Sequence, residues 1–131
     1  MERAEVEEWF ATYLETYAAC GRGEEDVERL LERYAVPLLL TADAGAVWLT
    51  TAADVVAAAR QQVEAMRAAG YHRSETLELD VEVLNAGTAL VRGRFARVRR
   101  DGSEIEQLRT VYLVVKGGQG RRIAALVVAT A

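Results

Sequence analysis

Ala69-Gly70-Tyr71-His72-Arg73-Ser74-Glu75-Thr76-Leu77-Glu78-Leu79-Asp80-Val81-Glu82-Val83 is the stretch where the chain changes period. Upstream of Gly70 apolar residues recur every three or four positions, the spacing that places one stripe on a helix. Downstream, Leu77, Leu79, Val81 and Val83 alternate with Glu78, Asp80 and Glu82, the period of two that marks a strand. The switch is abrupt and sustained, so it predicts helices first and a sheet afterwards.

Working back from Gly70, Thr51 opens a helix with Asp54 three residues later, and Val55 or Val56, Ala59, Val63 and Met66 form its apolar line. Before it, Val36 to Leu40 and Ala46 to Leu49 flank the turn-rich Thr41-Ala42-Asp43-Ala44-Gly45, which reads as a short hairpin. Val27, Leu30, Leu31 and Tyr34 read as the stripe of a second helix, preceded by Glu24, Glu25 and Asp26 at its positive end. Val6, Trp9, Phe10, Tyr13, Leu14 and Tyr17 give the first helix, stopped by Gly21-Arg22-Gly23.

Working forward, Asn85-Ala86-Gly87, Asp101-Gly102 and Gly117-Gly118-Gln119-Gly120 divide the remainder into four strands joined by hairpins. Thr110 to Val115 and Ile123 to Val128 are apolar at both parities, so both faces of these strands must be covered. Helices supply one cover and a second copy of the chain the other, predicting a homodimer through the outer faces of the last strands. The fold class expected is α+β: a cone-shaped roll of three N-terminal helices packed on a strongly curved antiparallel sheet built chiefly from Tyr71 to Ala131.

The chain has 131 residues, enough for one domain spanning 1–131 and too few for two cores. With 51% apolar and 27% charged residues it has the makings of a globular core, which excludes disordered and collagen-like classes. A net charge of -4 supplies no positive field for phosphate backbones, so nucleic acid is not the expected partner. Arg92, Arg94, Arg97, Arg99 and Arg100, interleaved beside Asp101 and Glu104, read as the solvated face of a hairpin. Cys20 is alone and reads as buried filler, so no internal disulfide is available. The acidic start Met1-Glu2-Arg3-Ala4-Glu5 lacks an apolar segment, and no apolar run approaches the ~20 residues of a membrane span. A cytoplasmic setting without membrane insertion is expected, and no metal or nucleotide motif calls for a cofactor.

The element order resembles the cone-shaped fold of the nuclear transport factor 2 superfamily, which includes ketosteroid isomerases, scytalone dehydratase and SnoaL-like polyketide cyclases. Trp9-Phe10-Ala11-Thr12-Tyr13, Val36-Pro37-Leu38-Leu39-Leu40, Ala69-Gly70-Tyr71, Ala89-Leu90-Val91, Asp101-Gly102 and Gly120-Arg121-Arg122-Ile123-Ala124-Ala125-Leu126 carry the resemblance along nearly the whole chain. In the isomerases a helix-one tyrosine donates to an oxyanion, an aspartate after helix two moves a proton, and a late-strand carboxylic acid shares the oxyanion. The resemblance implies Tyr13 or Tyr17 for the first role and Asp43 for the second. Thr110-Val111-Tyr112-Leu113-Val114-Val115 carries no carboxylate, so the third falls to Tyr112 or to nothing. The cyclases and dehydratase use a His with an Asp, and His72 is the single histidine and therefore the base candidate.

Charged residues on apolar faces are the other candidates. Parity places Arg97 with Ala89, Val91, Gly93 and Phe95, and Arg109 with Val111, Leu113 and Val115. A guanidinium on an apolar surface needs an acceptor, supplied by structural pairing to Asp80, Glu82 or a partner subunit, or by a ligand carboxylate or carbonyl. Tyr13, Tyr17, Tyr34, Trp48 and Tyr112 are the aromatic candidates for the same cavity. Arg109 and Tyr112 cannot share a face without a bulge; Arg109 is expected inside the cone and Tyr112 on the dimer side.

Three functions follow: binding a small apolar or carbonyl-containing molecule in an apolar pocket, isomerase, cyclase or dehydratase chemistry beside a carbonyl, or an interaction module with a filled cone. An empty apolar cavity marks the first, an empty polar-tipped cavity the second and a filled cone the third.

Overall fold

A computed structural model describes residues 1–130. Helix α1 (Arg3–Gly21) buries Val6, Phe10, Tyr13 and Cys20 along one face, with Tyr17 half-buried between the last two. Its first turn is fixed by the Glu2 backbone N–H, which donates to Glu5 Oε1 at 3.1 Å. The second expected helix is a single 3-10 segment (Val27–Glu32), with Asp26 capping its start by accepting from the Glu28 N–H at 2.9 Å. Tyr34, expected on that helix, instead begins strand β1 (Tyr34–Ala42), where it pairs with Ile123. The sheet takes the residue because six residues are too few to propagate an α-helix alone.

Strand β1 forms the expected hairpin with β2 (Gly45–Leu49), and helix α2 (Ala52–Ala68) follows with Thr51 accepting from the Asp54 N–H at 3.1 Å. Gly70 ends α2 with φ +86°, a conformation that favours glycine, and turns the chain into the sheet. Strands β3 (Tyr71–Asn85), β4 (Thr88–Arg99), β5 (Glu104–Gly117) and β6 (Gly120–Thr130) then run antiparallel in hairpins. No helix interrupts Leu77 to Val128, as the period of two requires.

The sheet order is β2-β1-β6-β5-β4-β3, and β1 lies parallel to β6. The four strands from Tyr71 onward are antiparallel as expected, and the first hairpin, joined through β1 parallel to β6, makes the whole sheet mixed. The first hairpin docks on the last strand across a long connection, a non-local pairing that local periodicity does not encode.

The inner face carries Val81, Ala89, Val91, Phe95, Tyr112, Val114 and Ile123, all buried under the helices. Gly93 sits in the same row, and a Cβ there would lie 2.4 Å from the Phe95 ring, so the missing side chain is the space that ring occupies. On the outer face Leu39, Leu90, Val111, Leu113, Val115 and Ala125 are only half-buried, and Val127 is 43% exposed. No helix among the described residues is long and apolar enough to cross a membrane.

Candidate functional site

The inner face brings most of the aromatic candidates together. Tyr13 on α1 is 2% exposed, and its hydroxyl lies 2.7 Å from that of Tyr34 on β1. Phe10 packs edge-on against Tyr112 with ring centres 4.8 Å apart, and Tyr13 stands at 5.9 Å from the same ring. Tyr17 lies 6.0 Å from Tyr13, and its hydroxyl donates to Met66 Sδ at 3.3 Å while accepting from Arg97 Nη2 at 3.4 Å. Rings at these separations touch, so α1 fills the cone from above while Tyr112 and Phe95 fill it from the sheet.

Burial raises the pKa of all four tyrosines, that of Tyr112 to about 12. Desolvation disfavours the phenolate, and in Tyr13 the neighbouring tyrosines add to the shift. The hydroxyls thus stay neutral. Thr110, 5% exposed on the same face, holds its Oγ1 without a hydrogen-bond partner.

Arg97 is on the inner face as parity predicted, paired across the strands with Glu106. Its Nη1 lies 2.9 Å from Glu106 Oε1, and after the Gln62 amide is oriented by its neighbours the Gln62 oxygen also accepts from Nη1 at 2.8 Å. With Tyr17 this forms a polar plug at one end of the aromatic core. The cation is satisfied by the chain itself, though through Glu106 rather than the expected Asp80 or Glu82. Glu82 pairs with Arg92 instead, at 2.9 Å.

Arg109 and Tyr112 are reversed relative to expectation. Arg109 is exposed on the outer face opposite Ala129 and Arg94, while Tyr112 points inward opposite Val91 and Leu126. Both parities of β5 are apolar, so alternation alone carried no sign; the aromatic ring goes under the helices and the aliphatic set goes out. Trp48 is also outside the cone, 61% exposed and paired with Leu39.

Asp43 is exposed in the β1–β2 turn, and His72 is half-buried at the start of β3. These elements occupy opposite edges of the six-stranded sheet, so no Asp–His pair is assembled. The backbone carbonyl of His72 accepts from Arg22 Nη1 at 3.1 Å, a structural contact. Among the described residues no cluster of three His, Cys, Asp or Glu forms a metal site.

Two surface depressions lie outside the cone. One, about 230 Å³, is flanked by Glu15, Arg29 and Arg33; the other, about 410 Å³, by Asp26, Arg60 and Arg67. Neither is lined by a tyrosine. Phe10, Phe95, Gln62 and Glu106 complete the core and its plug without being candidate site residues in the sequence. Phe10 and Phe95 were legible as apolar-face positions; Gln62 and Glu106 carried no signal beyond being polar.

A model of the family described as NTF2-like protein (DUF6841) matches residues 4–131. The chain belongs to that family. Solved structures share the fold. A domain of unknown function with a cystatin-like fold from Nostoc punctiforme superposes with TM-score 0.74 at 20% identity, covering 100% of this chain and 80% of its own. An NTF2-like protein with a cystatin-like fold from Novosphingobium aromaticivorans gives 0.74 at 19% identity, covering 98% and 80%. An NTF2-like protein of unknown function from Shewanella oneidensis gives 0.67 at 17% identity, covering 92% and 95%. At these identities the likeness concerns the α+β cone fold. No curated protein matches the chain.

Proposed function

We propose that this NTF2-like domain is an association module, in which the outer face of the sheet joins two copies of the chain. The observation that carries the reading is the contrast between a cone filled by Phe10, Tyr13, Tyr34, Phe95 and Tyr112 and a sheet face left uncovered. Leu39, Val127, Ala125, Val111, Leu113 and Leu90 cross that face from β1 to β4. Arg92–Glu82 and Arg94–Glu78 border it at 2.9 and 3.2 Å. An apolar centre with a charged border is the anatomy of a specific interface, and a two-fold contact needs only one self-complementary patch. Arg109, without an ion pair among the described residues, lies beside this strip, where a guanidinium can stay hydrated at a rim.

Light scattering at micromolar concentration tests the reading. A mass near twice 14.4 kDa is expected, and the monomer mass contradicts it.

Thr110 favours a second reading, in which a small apolar or carbonyl-containing molecule enters the cone. Its buried, unpartnered Oγ1 beside Tyr112 is a donor of the kind a carbonyl oxygen accepts. The tyrosine rings would have to move to admit it. Native mass spectrometry of the purified chain separates the readings: a stoichiometric small molecule supports the second, and a bare polypeptide mass removes it. Asp43 and His72, exposed or half-exposed on opposite edges, give acid/base catalysis no assembled pair.

A further inference from the structure

The two edges of the sheet are protected very differently. On β3 the edge carries Arg73, Glu75, Glu78, Asp80 and Glu82, with register shifts near Arg73, Glu78 and Asn85 that break its regularity. Such charges and bulges keep a free edge from pairing with another chain. On β2 the edge reads Gly45-Ala46-Val47-Trp48-Leu49, with no charge and no proline, and Val47 and Trp48 are 48% and 61% exposed.

We infer that the β2 edge is a second self-association surface, on which β2 of another copy adds as an antiparallel strand. An antiparallel two-fold pairing centred on Val47 sets each residue opposite the one equally far on the other side of the centre. Trp48 then faces Ala46 of the second copy, and Leu49 faces Gly45, in both directions at once. Trp48 and Leu49 each meet a small residue and Val47 meets itself, so the strand is complementary to itself, as a two-fold contact requires. Charge agrees with shape. β2 itself brings no charge to the pairing, so no like charges oppose it. The same pairing on β3 would oppose like charges, because Glu78 and Asp80 lie one residue either side of Leu79.

Trp48 and Leu39 lie on the outer sheet face, so the edge is continuous with the face proposed above for dimerisation. A five-residue strand spans about 17 Å and buries less than the ~800 Å² per partner of a standard interface. The edge contact is accordingly the weaker of the two, adding to the face-to-face pair at higher concentration rather than replacing it.

Cysteine crosslinking tests the register. Val47 lies opposite itself at the two-fold, where facing Cβ atoms stand about 4.5–5.5 Å apart, whereas Ala46 meets its own copy only on the diagonal, about 7–8 Å away. Under mild oxidation Val47→Cys should give a covalent dimer and Ala46→Cys should not; Cys20, fully buried, does not compete. Both positions are exposed, so the fold tolerates them, and circular dichroism verifies it. In the Leu113→Lys background, which removes the face-to-face contact, Val47→Cys should still crosslink, more slowly. No crosslink at Val47, or equal crosslinking at both positions, overturns the inference without bearing on the face-to-face dimer. As a second measurement, Val47→Lys should abolish any species above the dimer in light scattering; its persistence also overturns the inference.

Discussion

The inner and outer faces of the same sheet are both apolar on β5 and β6, yet they have different fates. Inside, Tyr112, Val114 and Ile123 are 0–6% exposed under α1, where Phe10 meets Tyr112 edge-on and the hydroxyls of Tyr13 and Tyr17 are held by Tyr34, Met66 and Arg97. Outside, Val111, Leu113 and Val115 are half-buried and Val127 is 43% exposed. Apolar content therefore does not distinguish the faces; what packs on them does. Phe95 and Tyr112 meet Phe10 of α1 on the inner side, whereas the outer side stays half-buried and free to lie against another sheet.

The contrast is broken most severely from within. Phe10 is fully buried against Tyr13, Phe95 and Tyr112. Phe10→Ala should cost about 3–5 kcal/mol of unfolding free energy, read from urea denaturation. A loss under about 1 kcal/mol would mean the aromatic core does not hold the cone together.

A smaller change concerns the Tyr13–Tyr34 hydroxyl pair. Tyr34→Phe leaves the Tyr13 hydroxyl alone in the core and should cost about 1–3 kcal/mol. The pH dependence follows from the raised pKa values of Tyr13, Tyr34 and Tyr112. Below the ordinary tyrosine value near pH 10 these groups are protonated in both folded and unfolded chains, and their contribution is fully present. As pH rises beyond it the unfolded chain releases protons that the folded chain retains, so stability falls through the folded values. Tyr34→Phe should make that alkaline fall shallower in urea midpoints measured against pH; an unchanged slope would place the ionising group elsewhere.

The smallest effect is expected outside. Arg109→Leu removes an exposed cation with no ion pair among the described residues and should change monomer stability by less than about 0.5 kcal/mol. A loss above 1 kcal/mol would show Arg109 to be a structural anchor, contrary to its position.

What was legible in the sequence was local or periodic. The alternation from Leu77 to Val83, the turns at Asn85, Asp101 and Gly117 and the cap at Thr51 are set by neighbouring residues, and each appears where expected. Arg97 was legible because one cation interrupts a single-parity apolar row on β4. Tyr34 was misplaced because its helical spacing from Val27 and Leu30 competes with a strand pairing to Ile123 that is 89 positions away in the chain (123 − 34). The same kind of distant pairing made β1 parallel to β6. Arg109 and Tyr112 were exchanged because β5 is apolar at both parities, and only the helix packed above it decides which side is inside. The candidate site was legible as a set of tyrosines but not as a filled space, since filling depends on ring orientation in three dimensions.

In the function proposed above, the outer face serves association and the inner face serves stability. Leu113→Lys separates them, because Leu113 lies mid-strip opposite Leu90 and Ala125 and is only half-buried in the single chain. Light scattering on this variant beside the unaltered protein, with urea unfolding of both under monomeric conditions, is the most direct measurement. About twice 14.4 kDa is expected for the unaltered chain and 14.4 kDa for Leu113→Lys, with monomer stability within about 1 kcal/mol. Equal masses for the two proteins, whether both dimeric or both monomeric, would contradict it.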